Sequence, residues 1–173
     1  AIHEVGRRIG VVETIRAGKI TLIQGRLDIG MSVAPPLIRA LKARLRDGVP
    51  AIIDAPPGTS CPVIAALQGA DFVLLITEPT PFGLHDLELA VAMTCELGIP
   101  FGVVVNRMGI GDDRVQEFCR REHIRVLLEI PDDRRIAEAY SRGHLIVDAL
   151  PEYRGLFRGL IERVLNLKGV EVA

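Results

Sequence analysis

An acidic residue ends the apolar segment VPAIID at residues 49–54, and a proline–glycine turn follows it directly. A carboxylate such as Asp54 at the carboxyl end of a buried strand suits Mg²⁺, held directly or through water, with phosphate completing the shell. Pro56 and Pro57 stiffen the loop, and Gly58 lets the main chain approach a ligand. The pattern is also typical of an ordinary turn before a helix, so both interpretations stay open.

The residues after this turn are suited to start a helix. Thr59 and Ser60 are helix-capping residue types, and they predict a helix that begins near Pro62 with its first amides free to bind phosphate. Cys61 follows them. It is one of three cysteines that are far apart and without a CxxC pair, which argues against a disulfide framework and a self-contained metal site.

Two other apolar segments also end in polar residues. Asn106 ends GVVVN, where its amide could pair with the edge of a base through one donor and one acceptor. Pro131 and Asp132 end the segment EIPD. The alternatives are a turn residue before Arg107 for Asn106 and a helix N-cap for Asp132.

The elements that must position these residues alternate along the chain. Short Val/Ile/Leu-rich segments predict strands buried on both faces, and segments with helical spacing separate them. We therefore predict an α/β fold in which a mostly parallel sheet carries helices on both faces. The predicted strands are 49–54, 70–77, 99–106 and 124–131, and the predicted helices are 35–48, 83–98, 112–123, 131–143 and 151–167.

The first thirty residues have a different pattern. Two β-rich segments flank AGK, which predicts an antiparallel hairpin over residues 1–30 at the edge of an alternating β/α core at 35–167. With 173 residues, 49% of them hydrophobic, the chain has the length of a single domain, 1–173. No apolar run reaches the roughly 18 residues of a membrane span. With no charged-then-apolar leader at the start either, we expect a cytoplasmic protein. Lys and Arg (21) nearly balance Asp and Glu (22), so we expect binding neither to nucleic acid nor to an anionic membrane.

Four segments together resemble a known family: IIDAPPGTSCPVIAAL, VLLITEPTPFGLHDLELA, GVVVNRMGIGDD and IPDDRRIAEAYSRG. They are similar to the MinD/ParA/Mrp-type (SIMIBI) P-loop ATPases, over residues 8–165, and most closely to the branch with an inserted ferredoxin-like iron–sulfur domain. The resemblance implies that Asp54 is the Walker B aspartate, coordinating Mg²⁺ through water, and that it is the catalytic residue. It implies nucleotide binding by the switch II loop and by residues near the base: Pro56, Pro57, Gly58, Thr59, Asn106, Arg107, Pro131 and Asp132.

One part of the family pattern is absent from these 173 residues. No G-x-x-x-x-G-K-[ST] segment exists, so the phosphate cradle and its lysine are missing. The chain, which begins without Met, resembles the portion after the insert, and we expect it to be inactive in ATP hydrolysis alone. The family strand that would neighbour 49–54 is missing too, which predicts an open sheet edge and self-association, including a homodimer.

These features predict a nucleotide-binding part of a MinD-like ATPase linked to iron–sulfur cluster or electron handling. Its ligands would be ATP or ADP with Mg²⁺, its partner an iron–sulfur or redox protein, and its clusters would lie in the missing insert. Alternatives are a non-catalytic protein-interaction module on the same fold and a ParA/MinD-like positioning ATPase. Cys61 is a candidate cluster ligand, since the nitrogenase iron protein has a cysteine seven residues after the equivalent aspartate; a small packing residue is the alternative.

Overall fold

The computed structural model describes residues 6–167, and the rest of the predicted domain, 1–5 and 168–173, lies outside the described residues. The chain divides into two compact units, one ending at Gly69 and the other beginning at Ala70. The single-domain organisation stays a prediction. No helix among residues 6–167 has the length and apolar character needed to cross a bilayer.

The first unit contains the predicted hairpin. Strands β1 (Gly10–Ala17) and β2 (Ile20–Leu27) pair antiparallel, with Ala17 opposite Ile20. Gly18 has φ +58° as the first central residue of the two-residue turn, a conformation that costs glycine little. Helix α1 (Pro35–Lys42) packs on this hairpin so closely that a Cβ on Gly25 would lie 2.9 Å from Leu41 Cδ1.

Helix α2 (Cys61–Leu67) completes the first unit and packs against α1. The Lys42 ammonium donates to the carbonyl oxygens of Ala65 (3.2 Å), Ala66 (3.0 Å) and Gln68. These carbonyls lie at the end of α2, where the helix itself supplies no donors. Lys42 therefore stabilises the carboxyl end of α2, and desolvation by burial lowers the pKa of Lys42.

The second unit has the alternating pattern that the sequence predicts. Its three strands, β3 (Val73–Thr77), β4 (Phe101–Met108) and β5 (Val126–Pro131), form a parallel sheet in that order, with β4 in the middle. Val103, Val104 and Val105 of β4 are all buried, so both faces of the central strand are covered. The helices that alternate with and follow these strands are α3 (Pro81–Glu96), α4 (Arg114–Arg121), α5 (Arg134–Ser141), α6 (Ile146–Ala149) and α7 (Tyr153–Leu167).

The core of this unit forms where α3 and α4 cover the sheet. Val103 and Val105 of β4 meet Leu87 of α3 and Val115 and Phe118 of α4, with Cys119 in the same buried cluster. The apolar residues of these helices recur every three or four positions, which places them on one face. This core holds the three strands in register and thereby positions their carboxyl ends.

The predicted strand at 49–54 is wrong. Residues 51–56 have no regular secondary structure, and Ile52 and Ile53 are 96% and 38% exposed. An apolar sequence favours a strand, but a strand also needs a neighbour to accept and donate its backbone hydrogen bonds. Because 49–54 pairs with no described strand, it remains an extended loop. The helix predicted to reach residue 48 likewise ends at Lys42, and the short helix α6 was not predicted.

Candidate functional site

Polar residues follow each strand of the parallel sheet. Glu78 comes directly after β3, Asn106 and Arg107 lie near the end of β4, and Asp132 comes directly after β5. Because the three strands are parallel, their carboxyl ends share one edge of the sheet, where open α/β folds bind ligands. We call the set Glu78, Asn106, Arg107, Pro131 and Asp132 the strand-end cluster.

The end of β4 is irregular at the centre of this cluster. Val105 is opposite Glu129, whereas Met108 is opposite Pro131, so β4 has one residue more than β5 in this interval. Such an extra residue is a β-bulge. Arg107 lies in the bulge with φ +56°, a left-handed conformation that costs a side-chain-bearing residue roughly 1–3 kcal/mol.

The Arg107 side chain joins the ends of both outer strands. Its Nε donates to Asp132 Oδ1 at 3.0 Å, and its Nη1 donates to Glu78 Oε2 at 3.4 Å. The hydrogen bond to Asp132 and the charges of Glu78 and Asp132 raise the pKa of Arg107. The Asp132 backbone N–H also donates to Met108 O at 2.9 Å, which ties the loop after β5 to β4.

The structure brings four predicted residues to this edge: Asn106, Arg107, Pro131 and Asp132. Asn106 is half-buried, and its amide has no hydrogen-bond partner among residues 6–167, so both its donor and its acceptor are free. Pro131 and Asp132 are exposed. Sequence reasoning missed Glu78, although ITEP ends an apolar segment in an acidic residue as the other segments do.

A close contact between two loops supports the cluster. Gly111, in the loop after β4, approaches Pro79 so closely that a Cβ there would lie 1.5 Å from Pro79 O. Only glycine allows this approach without a shift of the backbone. The loops after β3 and β4 are thus packed on each other beside Glu78 and Arg107.

Asp133, and not Asp132, caps the next helix. Its carboxylate accepts from the Arg135 backbone N–H (2.9 Å) and from Tyr153 Oη (2.9 Å), and it pairs with the Arg135 guanidinium at 2.6 Å. These donors, the Arg135 side chain first, hold the pKa of Asp133 well below its usual range. Burial, with the hydrogen bond to Asp133, raises the pKa of Tyr153. The alternative that Asp132 is the N-cap is wrong.

The Asp54 loop belongs to the other unit. Asp54, Pro56, Pro57 and Thr59 are exposed, and the Asp54 carboxylate has no partner among the described residues. Gly58 has φ +87°, which explains glycine at this position. Ser60 is the N-cap residue of α2, but its side chain makes no capping hydrogen bond, contrary to the sequence expectation.

The free Asp54 carboxylate suits Mg²⁺ held through water, because Mg²⁺ keeps several waters and needs only one or two carboxylates beside phosphate. Within residues 6–167, no three His, Cys, Asp or Glu side chains are grouped to hold a metal. Cys61 is exposed at the start of α2 and stays a predicted ligand.

The other two cysteines differ in burial. Cys119 is buried in the core, and desolvation raises the pKa of its thiol, as a packing role requires. Cys95 is exposed on α3.

The fold resembles that of solved MinD proteins. The cell division ATPase MinD of Pyrococcus furiosus superposes with a TM-score of 0.63 and 26% sequence identity, over 77% of this chain and 59% of that one. The protein therefore has a MinD-like α/β fold, related to the P-loop ATPases. This confirms the fold class and the family resemblance that the sequence predicts.

The sequence is also similar to curated proteins, although no family model matches it. An uncharacterized protein of Methanocaldococcus jannaschii is 38% identical over 115 residues, which are 66% of this chain and 38% of that protein. The iron-sulfur cluster carrier protein of Aquifex aeolicus is 28% identical over 116 residues, 58% of this chain and 32% of the carrier. The chain thus spans about a third of the length of these two relatives.

Proposed function

We propose that this chain is the base-binding part of a MinD-like ATPase that works with iron–sulfur clusters. The observation that carries the proposal is the free Asn106 amide in the strand-end cluster of a MinD-like fold. The link to iron–sulfur clusters is supported by the similarity to iron-sulfur cluster carrier proteins. The iron–sulfur clusters would be cargo or would bind outside residues 6–167.

The chemistry assigned to the strand-end cluster is recognition of adenine. A carboxamide offers one donor and one acceptor side by side, and adenine presents a matching acceptor and amino group on one edge. On the edge that carries N7, adenine presents an acceptor and an amino donor, whereas guanine presents two acceptors, N7 and O6, so one amide can discriminate between them there. Pro131 and Asp132 would lie against the base from the loop after β5, which the Asp132–Met108 hydrogen bond holds on β4.

For the Asp54 loop, taken by itself in the first unit, we propose contacts with Mg²⁺ and phosphate. Asp54 would hold a water of bound Mg²⁺, and Gly58 with Thr59 would let the main chain respond to the phosphates. When bound, Mg²⁺ neutralises charge on the phosphate oxygens. Since the sequence has no Walker A segment, we expect base contacts to dominate the affinity of this chain.

The first prediction concerns nucleotide binding by this chain. We expect ATP and ADP, with Mg²⁺, to shift the amide resonances of residues 106–107 and 131–133 in NMR titrations, with a dissociation constant weaker than about 1 mM. GTP should bind more weakly still. Asn106→Ala should remove the difference between ATP and GTP, because it removes the paired donor and acceptor.

A matched control is Asn166→Ala, since Asn166 is an exposed asparagine of the same unit, on α7. It should keep the preference for ATP. Micromolar affinity would contradict the weak binding predicted here. If no resonance near the strand-end cluster moves with ATP at about 10 mM, the interaction module becomes the better hypothesis.

A further inference from the structure

We propose that Arg107 is a positioning residue for base recognition: its two ion pairs hold the β4 bulge in the conformation that presents Asn106. This inference rests on the proposed function, because it explains how the amide assigned to adenine is oriented. It goes beyond a contact between Arg107 and nucleotide, since Arg107 would act through Asn106 and through the loop after β5.

The β4 bulge contains both Asn106 and Arg107. Asn106 and Arg107 lie between the last regular pair, Val105 with Glu129, and the pair of Met108 with Pro131. Asn106 and Arg107 therefore have no paired residue on β5. The positions of Val103, Val104 and Val105 before them are fixed by burial of their side chains. The direction of Asn106 then depends on the backbone of its neighbour Arg107.

The backbone conformation of Arg107 is unusual for a residue with a side chain. Arg107 and His123 are the two residues other than glycine with positive φ among those described. His123 directly follows the C-cap of α4, where left-handed residues are common. Arg107 has no such helix end, and an arginine left to itself prefers a right-handed helical or an extended conformation. A contact made by Arg107 must therefore favour its left-handed conformation.

Two ion pairs of the Arg107 side chain supply that contact. The Arg107 guanidinium bonds to Asp132 on one side and to Glu78 on the other, so it joins the loops after β5 and β3 across the end of β4. An arginine can do this because its planar group carries several donors in fixed directions, whereas lysine has a single compact ammonium. The Asn106 amide has no partner of its own to replace this support.

The test compares variants that separate the guanidinium from the backbone. Arg107→Gly and Arg107→Asn both tolerate a left-handed conformation but lack the ion pairs. Arg107→Lys keeps the charge. Arg114→Ala is the control, because Arg114 is equally exposed and pairs with Asp112, two residues before it.

Two readouts are needed. In the free protein, hydrogen exchange of the Asp132 N–H should become at least about tenfold faster in Arg107→Gly and Arg107→Asn, since the loop loses its anchor. In NMR titrations, the ratio of GTP to ATP dissociation constants should fall in both variants to that of Asn106→Ala. Arg107→Lys should recover part of the ratio, and Arg114→Ala should match the wild type in both measurements.

The outcomes separate this inference from the proposed function. If the wild type prefers ATP and Arg107→Gly keeps both that preference and the wild-type exchange rate, the inference is overturned and the function stands. If the wild type shows no preference for ATP, the function fails, and the exchange rate in the free protein alone then decides whether Arg107 positions this edge. Equal exchange in all variants overturns the positioning role.

Discussion

Two adjacent aspartates after β5 have different partners, and this difference is decided at the scale of single residues. Asp132 is exposed and pairs with Arg107, whereas the Asp133 side chain is 16% exposed and accepts from Arg135 and Tyr153. Asp133 thereby joins the start of α5 to the start of α7, and Arg135 extends the connection to Glu152. Asp132 takes no part in this connection and pairs with Arg107 within the strand-end cluster.

Acid should weaken the fold through Asp133. Its folded-state pKa lies below its unfolded value of about 3.9, so the carboxylate stabilises the fold above that pH, and this stabilisation is lost as pH falls below it. We expect Asp133→Asn to lower Tm at pH 7 and to flatten the loss of Tm between about pH 5 and pH 3. Thermal denaturation followed by circular dichroism would measure this.

The exposed carboxylate Asp148, paired with Arg154, provides the control. Asp148→Asn should show the pH dependence of the wild type. Parallel curves of Tm against pH for wild type and Asp133→Asn would contradict the assigned role of Asp133.

At the scale of elements, glycines have opposite roles in loops and helices of the second unit. Gly111 is required by the contact with Pro79, and a Cβ there would overlap the backbone. Gly155 lies within α7 with nothing within 4 Å of a Cβ. The first supports the strand-end cluster, whereas the second lowers the stability of its helix, because glycine loses more backbone entropy than alanine.

Alanine at these two positions should therefore have effects of opposite sign. We expect Gly111→Ala to lower the free energy of unfolding by about 1–3 kcal/mol, because the Pro79 backbone must move. Gly155→Ala should raise it by about 0.5–1 kcal/mol through helix propensity. Urea denaturation measures both, and a Gly111→Ala variant as stable as the wild type would contradict the tight contact.

At the scale of the whole molecule, charge and exposed apolar surface are unevenly distributed. Residues 6–69 carry nine Lys or Arg against four Asp or Glu, whereas residues 70–167 carry eleven against sixteen. The near-neutral total hides this asymmetry. The basic unit also contains the unpaired apolar loop at 49–54, with Ile52 almost fully exposed. Opposite charges and an apolar loop both favour association between copies.

We accordingly predict salt-dependent self-association through this loop. In sedimentation velocity, the wild type should associate at low salt and dissociate as salt screens the charges. Ile52→Asp should reduce association, because it places a charge in the apolar loop. Ile29→Asp is the matched control, since Ile29 is equally exposed in the same unit but outside 49–54. Equal association of both variants would contradict a role for the loop.

The sequence by itself determined the elements whose pattern is local. Apolar runs bounded by turn residues predicted β3, β4 and β5, and the AGK turn predicted the hairpin, because backbone preferences and side-chain periodicity act over a few residues. The polar ends of the strands, and hence Asn106, Pro131 and Asp132 on one edge, followed from parallel pairing alone. The resemblance of four segments to MinD-type ATPases added the class of protein.

Only the tertiary structure decided the features that need a distant partner. The segment 49–54 has the composition of a strand, yet it is a loop because no neighbouring strand completes its hydrogen bonds. Arg107 is left-handed, and Glu78 and Asp132 flank it, because a bulge and three strand ends meet there. The choice of Asp133 as the helix cap likewise depends on Tyr153, twenty residues away. Local propensity cannot encode such contacts, since their energy exists only after the chain has folded.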